Sequence, residues 1–319
     1  MKAKKADRKN SPFFFDLSPF TDSGGMALVL TLMIVAIITA MVVEFAYGVY
    51  INTTALYTWQ TSQKLSLTAK SATRLASRLI SQRSRGSFTK GFYEISQKIP
   101  YDNPDGTISL RIEDENGKFN LNSLVTATGQ VDNSYAYPAF IRLLRALSLK
   151  TDVADRVVDW IDPDSVPRVQ DSEKSAKNGY LDSVDELRMI PGIDSGTYEK
   201  LLPYVTIYPK ATSSNIMAGI IRVNINSAGV PVLMSLSDSI TKDVAERIVE
   251  YRQDIPFESV ADMENAGVPK DICYSLLNYA KTDGIAFRVI ATGQSGDIIR
   301  TIESVIEGDS RIVRYWKEN

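Results

Sequence analysis

The sequence predicts an α+β chain: one long amino-terminal helix, a small antiparallel sheet drawn from two distant segments, and a large, mostly α-helical insert between them. Three observations predict it. A charge-free apolar run, Met26 to Val43, leads into residues 52–82, which contain no Pro or Gly and keep helical spacing. Apolar and polar residues alternate near residue 110 and again after residue 285. Between those segments the same series of motifs occurs twice. With 319 residues, 44% apolar and 23% charged, the chain has enough material for two to three modules.

Composition excludes several functions at once. Cys273 is the only cysteine and there is no histidine, so intramolecular disulfides, multi-cysteine metal sites, and Ser-His or Cys-His catalysis are all ruled out. A net charge of −2 supplies no global attraction to nucleic acid. The clustered carboxylates of one polar loop lack the aromatic subsites of a glycosidase, and the chain is read as a non-enzyme. Cys273, beside Ile272, Leu276 and Leu277, reads as a small core residue.

Met26 to Val43 is eighteen residues long, which as a helix gives about 27 Å, close to the thickness of a hydrocarbon core. Phe45, Ala46, Tyr47, Val49, Tyr50 and Ile51 continue it as an interfacial belt. Lys2, Lys4, Lys5, Arg8 and Lys9 outweigh Asp7 before it. This charge bias keeps the amino terminus cytoplasmic and the remainder outside. A secretory signal carries its small residues after the apolar run, whereas here Gly24-Gly25 precedes it. A basic leader, a glycine and then an uncut apolar helix resemble the type IV prepilin family; an ordinary signal anchor with a chance Gly-Gly is the alternative. The resemblance implies a leader of residues 1–25, cleavage between Gly25 and Met26 by a prepilin peptidase, methylation of the new terminus, and a mature chain of 294 residues. Most pilin-like proteins carry glutamate at the fifth mature position, where this chain has Leu30. That departure is similar to one family, the minor pseudopilin K of the type II secretion system.

Past the membrane, Leu56, Trp59, Gln63, Leu67, Arg74 and Arg78 continue the helical spacing. The helix is assigned to 26–84, ending near the basic cluster Arg83-Arg85 and before Gly86. Ile108 to Glu113 alternates, and Asn116-Gly117 predicts a type I′ hairpin into Lys118 to Leu121. Ala286 to Ala291, a turn at Gly293 to Gly296, Ile298 to Glu307 and Ile312 to Trp316 read as three further strands. The sheet is thus expected from 85–121 and 285–319, which with the long helix is the layout of the pilin family.

The insert, 122–284, holds the duplication, with copy one at about 119–206 and copy two at about 223–281. Asn120-Leu121-Asn122-Ser123 matches Asn224-Ile225-Asn226-Ser227, and Pro138 corresponds to Pro231. Asp152 to Trp160 matches Asp243 to Tyr251, and Leu181-Asp182-Ser183-Val184 matches Phe257-Glu258-Ser259-Val260. Trp160 and Tyr251 are read as equivalent core anchors. Each copy ends in a helix-hairpin-helix-like unit around Pro191-Gly192-Ile193 or Ala266-Gly267-Val268.

Between the halves of copy one, Asp159, Asp162, Asp164, Asp171 and Glu173 concentrate oxygen ligands in a loop stiffened by Pro163 and Pro167. Calcium takes six to eight such oxygens. Copy two lacks the loop, so the fold does not require its acids; a solvated acidic loop is the competing reading. In the pseudopilin K family this region is a calcium site, and Trp-Ile-Asp-x-Asp matches it at Asp162 and Asp164. The downstream segment departs from the family pattern at Asp171 and Glu173, which complete the candidate set of Asp162, Asp164, Asp171 and Glu173.

The resemblance implies a structural role. Such a protein caps the pseudopilus that drives protein secretion across the outer membrane. It is anchored by one pass in the inner membrane, with its bulk in the periplasm, and packs beside pseudopilins I and J. Ala27, Ala36, Thr39 and Ala40 give its membrane helix a small face for close packing. The second hypothesis is a membrane-anchored helix-hairpin-helix protein resembling a competence DNA receptor. Residues 120–284 carry 16 Lys+Arg against 23 Asp+Glu, a balance of −7; Asp194 stands where a phosphate would sit in the first hairpin and the second offers one lysine, Lys270, beside Asp271, so no nucleic acid is expected.

Overall fold

The computed structural model describes residues 23–82, 89–98, 106–210, 221–307 and 312–319. The basic leader residues and Arg83-Arg85 lie outside the described residues. The chain divides into two compact units, Met1–Gln60 and Thr61–Asn319. In the first, helix α1 (Ser23–Ser81) carries the apolar run with its side chains exposed. By length and composition it can cross a membrane. Its threonines leave no hydroxyl bare there: Thr31 and Thr39 donate to the Leu28 and Val35 carbonyls at 2.8 Å.

In the second unit, α1 covers one face of a five-stranded antiparallel sheet. The sheet comprises β1 (Phe92–Lys98), β2 (Thr107–Asp114), β7 (Ala286–Ser295), β8 (Ile298–Glu307) and β9 (Ile312–Glu318), in that order. Every other residue of the central strands points at the helix, so Leu110, Ile112, Phe287, Val289, Ala291 and Ile302 pack on Ala69, Ala76 and Ile80. The packed helix face is therefore Leu65, Ala69, Thr73, Ala76 and Ile80, while Leu56, Trp59 and Leu67 remain exposed. Small residues let the layers approach: a Cβ at Gly293 would lie 3.2 Å from the Leu65 side chain and carbonyl.

Three local expectations are corrected here. Asn116-Gly117 does not make a hairpin: Glu115–Gly117 is a 3₁₀ turn. The amide of Asn116 instead serves distant backbone, donating to the Arg222 carbonyl and accepting from the Ile285 and Ala286 amides. A Cβ at Gly117 would fall 2.8 Å from Ser227 Oγ, so the glycine permits close approach rather than a reversed turn. Phe119–Asn120, here β3, pairs in parallel with β4 (Val205–Thr206) and stands outside the sheet, and β2 takes β1 as its neighbour. Gly293 lies within β7, and the turn that follows is confined to Gly296-Asp297.

The insert repeats its hydrogen bonds as it repeats its sequence. Copy one runs through α2 (Ala136–Ala146), α3 (Asp152–Ile161) and α4 (Ser195–Leu201). Copy two has α5 (Val230–Leu236), α6 (Lys242–Asp254) and α7 (Lys270–Ser275). Copy one is closed by β3 with β4, and copy two by the parallel pair β5 (Val223–Asn224) and β6 (Ala280–Lys281). Asn122 clasps both backbone groups of Leu181, accepting from its N–H at 2.8 Å and donating to its carbonyl at 2.9 Å. Asn226 does the same for Phe257 at 3.0 and 2.9 Å. Ser183 with Glu186, and Ser259 with Asp262, form capping boxes at equivalent turns. One apolar cluster runs through both copies and includes Trp160 and Cys273, with Tyr251 packed against it.

Two adjacent acids fasten the insert to the sheet. Buried Asp114 accepts from Asn224 Nδ2 at 2.6 Å and Ser227 Oγ at 2.8 Å, and burial raises its carboxyl above the usual range. Fully buried Glu115 pairs with Lys118 and Arg288, both at 2.8 Å, and accepts from Thr206 Oγ1.

Candidate functional site

α3 is amphipathic: Val153, Ala154, Val157, Val158, Trp160 and Ile161 enter the core, and the helix ends as Asp162 turns extended. Its last turn therefore delivers Asp159 and Asp162 inward, with 0% and 1% of their surface exposed. The return of the loop is organised around Asp159. Its Oδ2 accepts from the backbone amides of Arg168 at 2.9 Å and Val169 at 3.2 Å, and from Ser172 Oγ. Those bonds present Glu173 to Asp162. Asp164 joins them, its Oδ1 held at 2.8 Å by the Val166 amide. One ligand oxygen from each of Asp162, Asp164 and Glu173 lies within 4.8 Å of the others. Asp171 is not brought into this group: it has a left-handed backbone, φ 67°, and its carboxylate pairs with Lys174 at 2.8 Å.

The electrostatics of this cluster are unbalanced. Both carboxylate oxygens of Asp162 and of Glu173 are buried without a hydrogen-bond donor among the described residues, as is Oδ1 of Asp159. Arg168 is the nearby cation, 3.5 Å from Asp159 and 3.8 Å from Asp162. Burial, then Asp164 and Asp159, push the Asp162 carboxyl up to about 6 against the pull of Arg168. Glu173 is raised by burial and by the same acids. Native interiors rarely leave buried carboxylates bare. With bonds of about 2.3–2.6 Å, a calcium ion links oxygens up to about 5 Å apart, which matches the separations here. The donors are oxygen only, the set for a hard cation. Asp159, not among the candidate ligands, orders the loop; its signal in the sequence was its place directly before Trp160 and one helical turn before Asp162, on the buried face.

Each hairpin is braced by an arginine. Gly192 and Gly267 both adopt left-handed conformations, φ 89° and 87°, and each lies against an arginine from the preceding repeat helix. Arg156 Nη1 donates to the Pro191 carbonyl at 2.8 Å, and Arg247 Nε to the Ala266 carbonyl at 3.3 Å. These are equivalent positions in the duplication, so the arginines are structural braces. Asp194 caps α4, accepting from the Thr197 amide at 2.7 Å.

At the other end of the chain, Gly25, Met26 and Leu30 lie on α1, all exposed. A cleft of about 620 Å³ opens on the sheet face opposite α1, floored by Arg111, Glu113 and Arg288 and walled by Asp182, Ser183 and Asp185 of copy one.

Comparison with known proteins agrees with this architecture. The family described as type II secretion system (T2SS), protein K matches residues 117–210 with one model and 223–272 with another, one over each copy of the duplication. A type II secretion system protein K of Pseudomonas aeruginosa is 31% identical over 172 residues, 49% of this chain and 48% of that one. The match thus spans about half of that relative. Another of the same name, from Pectobacterium carotovorum subsp. carotovorum, is 26% identical over 277 residues, 76% of this chain and 80% of the relative. Among solved structures, the GspK-GspI-GspJ complex from the type 2 secretion system of enterotoxigenic Escherichia coli contains a similar chain. The TM-score is 0.59 at 21% identity, covering 84% of this chain and 99% of that one.

Proposed function

We infer that this chain, a protein of the type II secretion system protein K family, acts as a minor pseudopilin at the tip of the secretion pseudopilus. The observation that carries the reading is Leu30 on an otherwise pilin-like helix and sheet. A subunit stacked above would bury a charged amino terminus, and a bare charge at the membrane centre costs about 2.5–3.5 kcal/mol or more. Leu30 offers that terminus no carboxylate, so this chain suits the position that has no neighbour above. The exposed stripe Leu56, Trp59 and Leu67 gives the helix a lateral face, and pseudopilins I and J are the partners expected on it. The apolar run anchors the chain once in the inner membrane, with the sheet and insert in the periplasm, after prepilin peptidase cuts between Gly25 and Met26. The role is structural and no reaction is assigned.

The acidic loop is read as a calcium site held by Asp162, Asp164 and Glu173, supported by the bare buried oxygens of Asp162 and Glu173. Calcium there would supply the positive charge that Arg168 alone does not provide to four neighbouring acids, and would thereby stiffen copy one.

The test is recovery of the tagged, full-length chain from membranes. Co-purification with pseudopilins I and J, a peptidase-dependent start at Met26, and one label per filament end are expected. Labels repeating along the shaft would overturn the tip assignment.

A further inference from the structure

Glu186 carries more contacts than its place in the fold requires. As the third residue of the 3₁₀ turn Val184–Met189, it completes a capping box, accepting from the Asp182 and Ser183 amides at 2.7 and 3.1 Å. The same carboxylate accepts from the Trp160 indole at 3.3 Å, and each of its oxygens from Lys177 Nζ at 3.1 Å. Lys177 also donates to Asp182 Oδ2 at 2.7 Å. Trp160 sits between Asp159 and Asp162, and its carbonyl accepts from the Asn178 amide at 3.1 Å. The loop carrying Asp162, Asp164 and Glu173 therefore begins and ends on Trp160 and is closed by Glu186.

Copy two is an internal control. Its capping residue is the shorter Asp262, which accepts from the Glu258 and Ser259 amides at 3.1 and 2.7 Å and, among the described residues, from no other donor. Tyr251, in the place of Trp160, stacks on Phe257 with ring centroids 5.3 Å apart. Only five residues separate Tyr251 from Phe257, against twenty between Trp160 and Leu181, so copy two has no counterpart of Lys177. An aspartate suffices to cap this turn. The longer reach of Glu186 and the ammonium of Lys177 occur only in the copy that carries the acidic loop.

We propose that Lys177, Glu186 and Trp160 form a clasp that positions the cation loop and couples its occupancy to the cleft wall at Asp182–Asp185. The clasp rests on the calcium reading above. Its residues are positioning residues: they touch the loop and the wall, and the cation would be held by Asp162, Asp164 and Glu173. With the clasp closed, the loop's acids are gathered before a cation arrives and less ordering is left for binding to supply. Opening it returns that cost to the binding step, as loss of outer-shell partners does in other metal sites. By linkage, calcium in the loop stabilises the closed clasp and hence the 182–185 turn.

The experiment uses the full-length chain in detergent, with terbium luminescence sensitised through Trp160 and calcium competition for affinity. Lys177→Met and Glu186→Gln are each expected to weaken calcium binding about tenfold or more. Asp262→Asn is expected to lower the melting temperature of the chain while leaving calcium affinity unchanged. Calcium is expected to slow hydrogen exchange at residues 182–185 in the wild type and not in Glu186→Gln. Wild-type affinity retained within twofold in both Lys177→Met and Glu186→Gln would overturn the clasp. Lys177→Met leaves the capping box intact, so a folding defect in the other variant does not obscure the answer. A wild-type chain that binds neither terbium nor calcium would overturn the calcium reading itself and the clasp with it, in an arm that precedes any variant.

Discussion

Truncating Asn226 to alanine removes a side chain with no exposed surface and strips partners from three buried backbone groups. These are the Phe257 amide at 3.0 Å, the Phe257 carbonyl at 2.9 Å and the Thr282 carbonyl at 2.9 Å. The equivalent Asn122→Ala strips two, both on Leu181. A buried group left unpaired costs about 1–3 kcal/mol. At the low end the losses are about 3 kcal/mol for Asn226→Ala and about 2 kcal/mol for Asn122→Ala. Hydrogen exchange followed by mass spectrometry reads this directly, because the clasped amides report their own opening. At about 1.4 kcal/mol per decade, the Phe257 amide is expected to exchange roughly 100-fold faster in Asn226→Ala, and the Leu181 amide roughly 30-fold faster in Asn122→Ala. Exchange within threefold of wild type in both, or a larger effect at Leu181 than at Phe257, would refute the equivalence of the two clasps.

Three further outcomes are expected. On the calcium reading, protons compete with the cation for Asp162, whose carboxyl is pushed up to about 6, and affinity measured by titration is expected to fall about tenfold per unit below pH 6. Without calcium the sign reverses. The folded value lies above the ordinary 3.8, so this group's stabilisation is present below pH 3.8 and lost as pH rises through about 6. Asp162→Asn then melts higher than the calcium-free wild type at pH 7 and binds no cation. Arg288→Met leaves Glu115, which has no exposed surface, with Lys118 as its remaining cation, and is expected to cost about 3–5 kcal/mol in denaturant unfolding. Burial alone would raise Glu115, but Lys118 and Arg288 outweigh it and hold the group at about 2. Its contribution is therefore present above pH 4.5 and lost as pH falls toward 2. Gly284→Ala would place a methyl on the Asp114 carboxylate, displacing it from Asn224 and Ser227. A lower melting temperature, equivalent to about 1–3 kcal/mol, checks it.

Much of the architecture was legible because it rests on periodicity. The long helix, β2, β7 and β8 repeat every 3.6 or two residues, and the duplication announces itself through Asn-x-Asn-Ser. β1 was not legible: nearly all its residues are exposed, so no buried face imposes alternation. Asn116-Gly117 misled because its local turn preference is overridden by partners far along the chain, the Arg222 carbonyl and the Ile285 amide. At the acidic loop, composition marked the segment in which carboxylates gather but could not separate Asp171, turned toward Lys174, from Glu173, turned inward. That distinction depends on Asp159 gathering the amides of residues 168 and 169, a contact no spacing rule encodes.

The pairing of β2 with β7 constrains the order in which the chain folds. Thr107 to Asp114 pairs with residues 287–294, so the centre of the sheet joins strands synthesised far apart. Until the last of these has been synthesised, the sheet that α1 covers is incomplete, and its face of Leu65, Ala69 and Ile80 lacks β7 and β8 to pack on. The entropy of closing so long a loop would make this step slow. The insert shortens it, because Asn116 at its entry holds the amides of Ile285 and Ala286 at its exit. Once folded, the insert delivers β7 to β2 with its ends already together, and the sheet closes after the insert rather than before it.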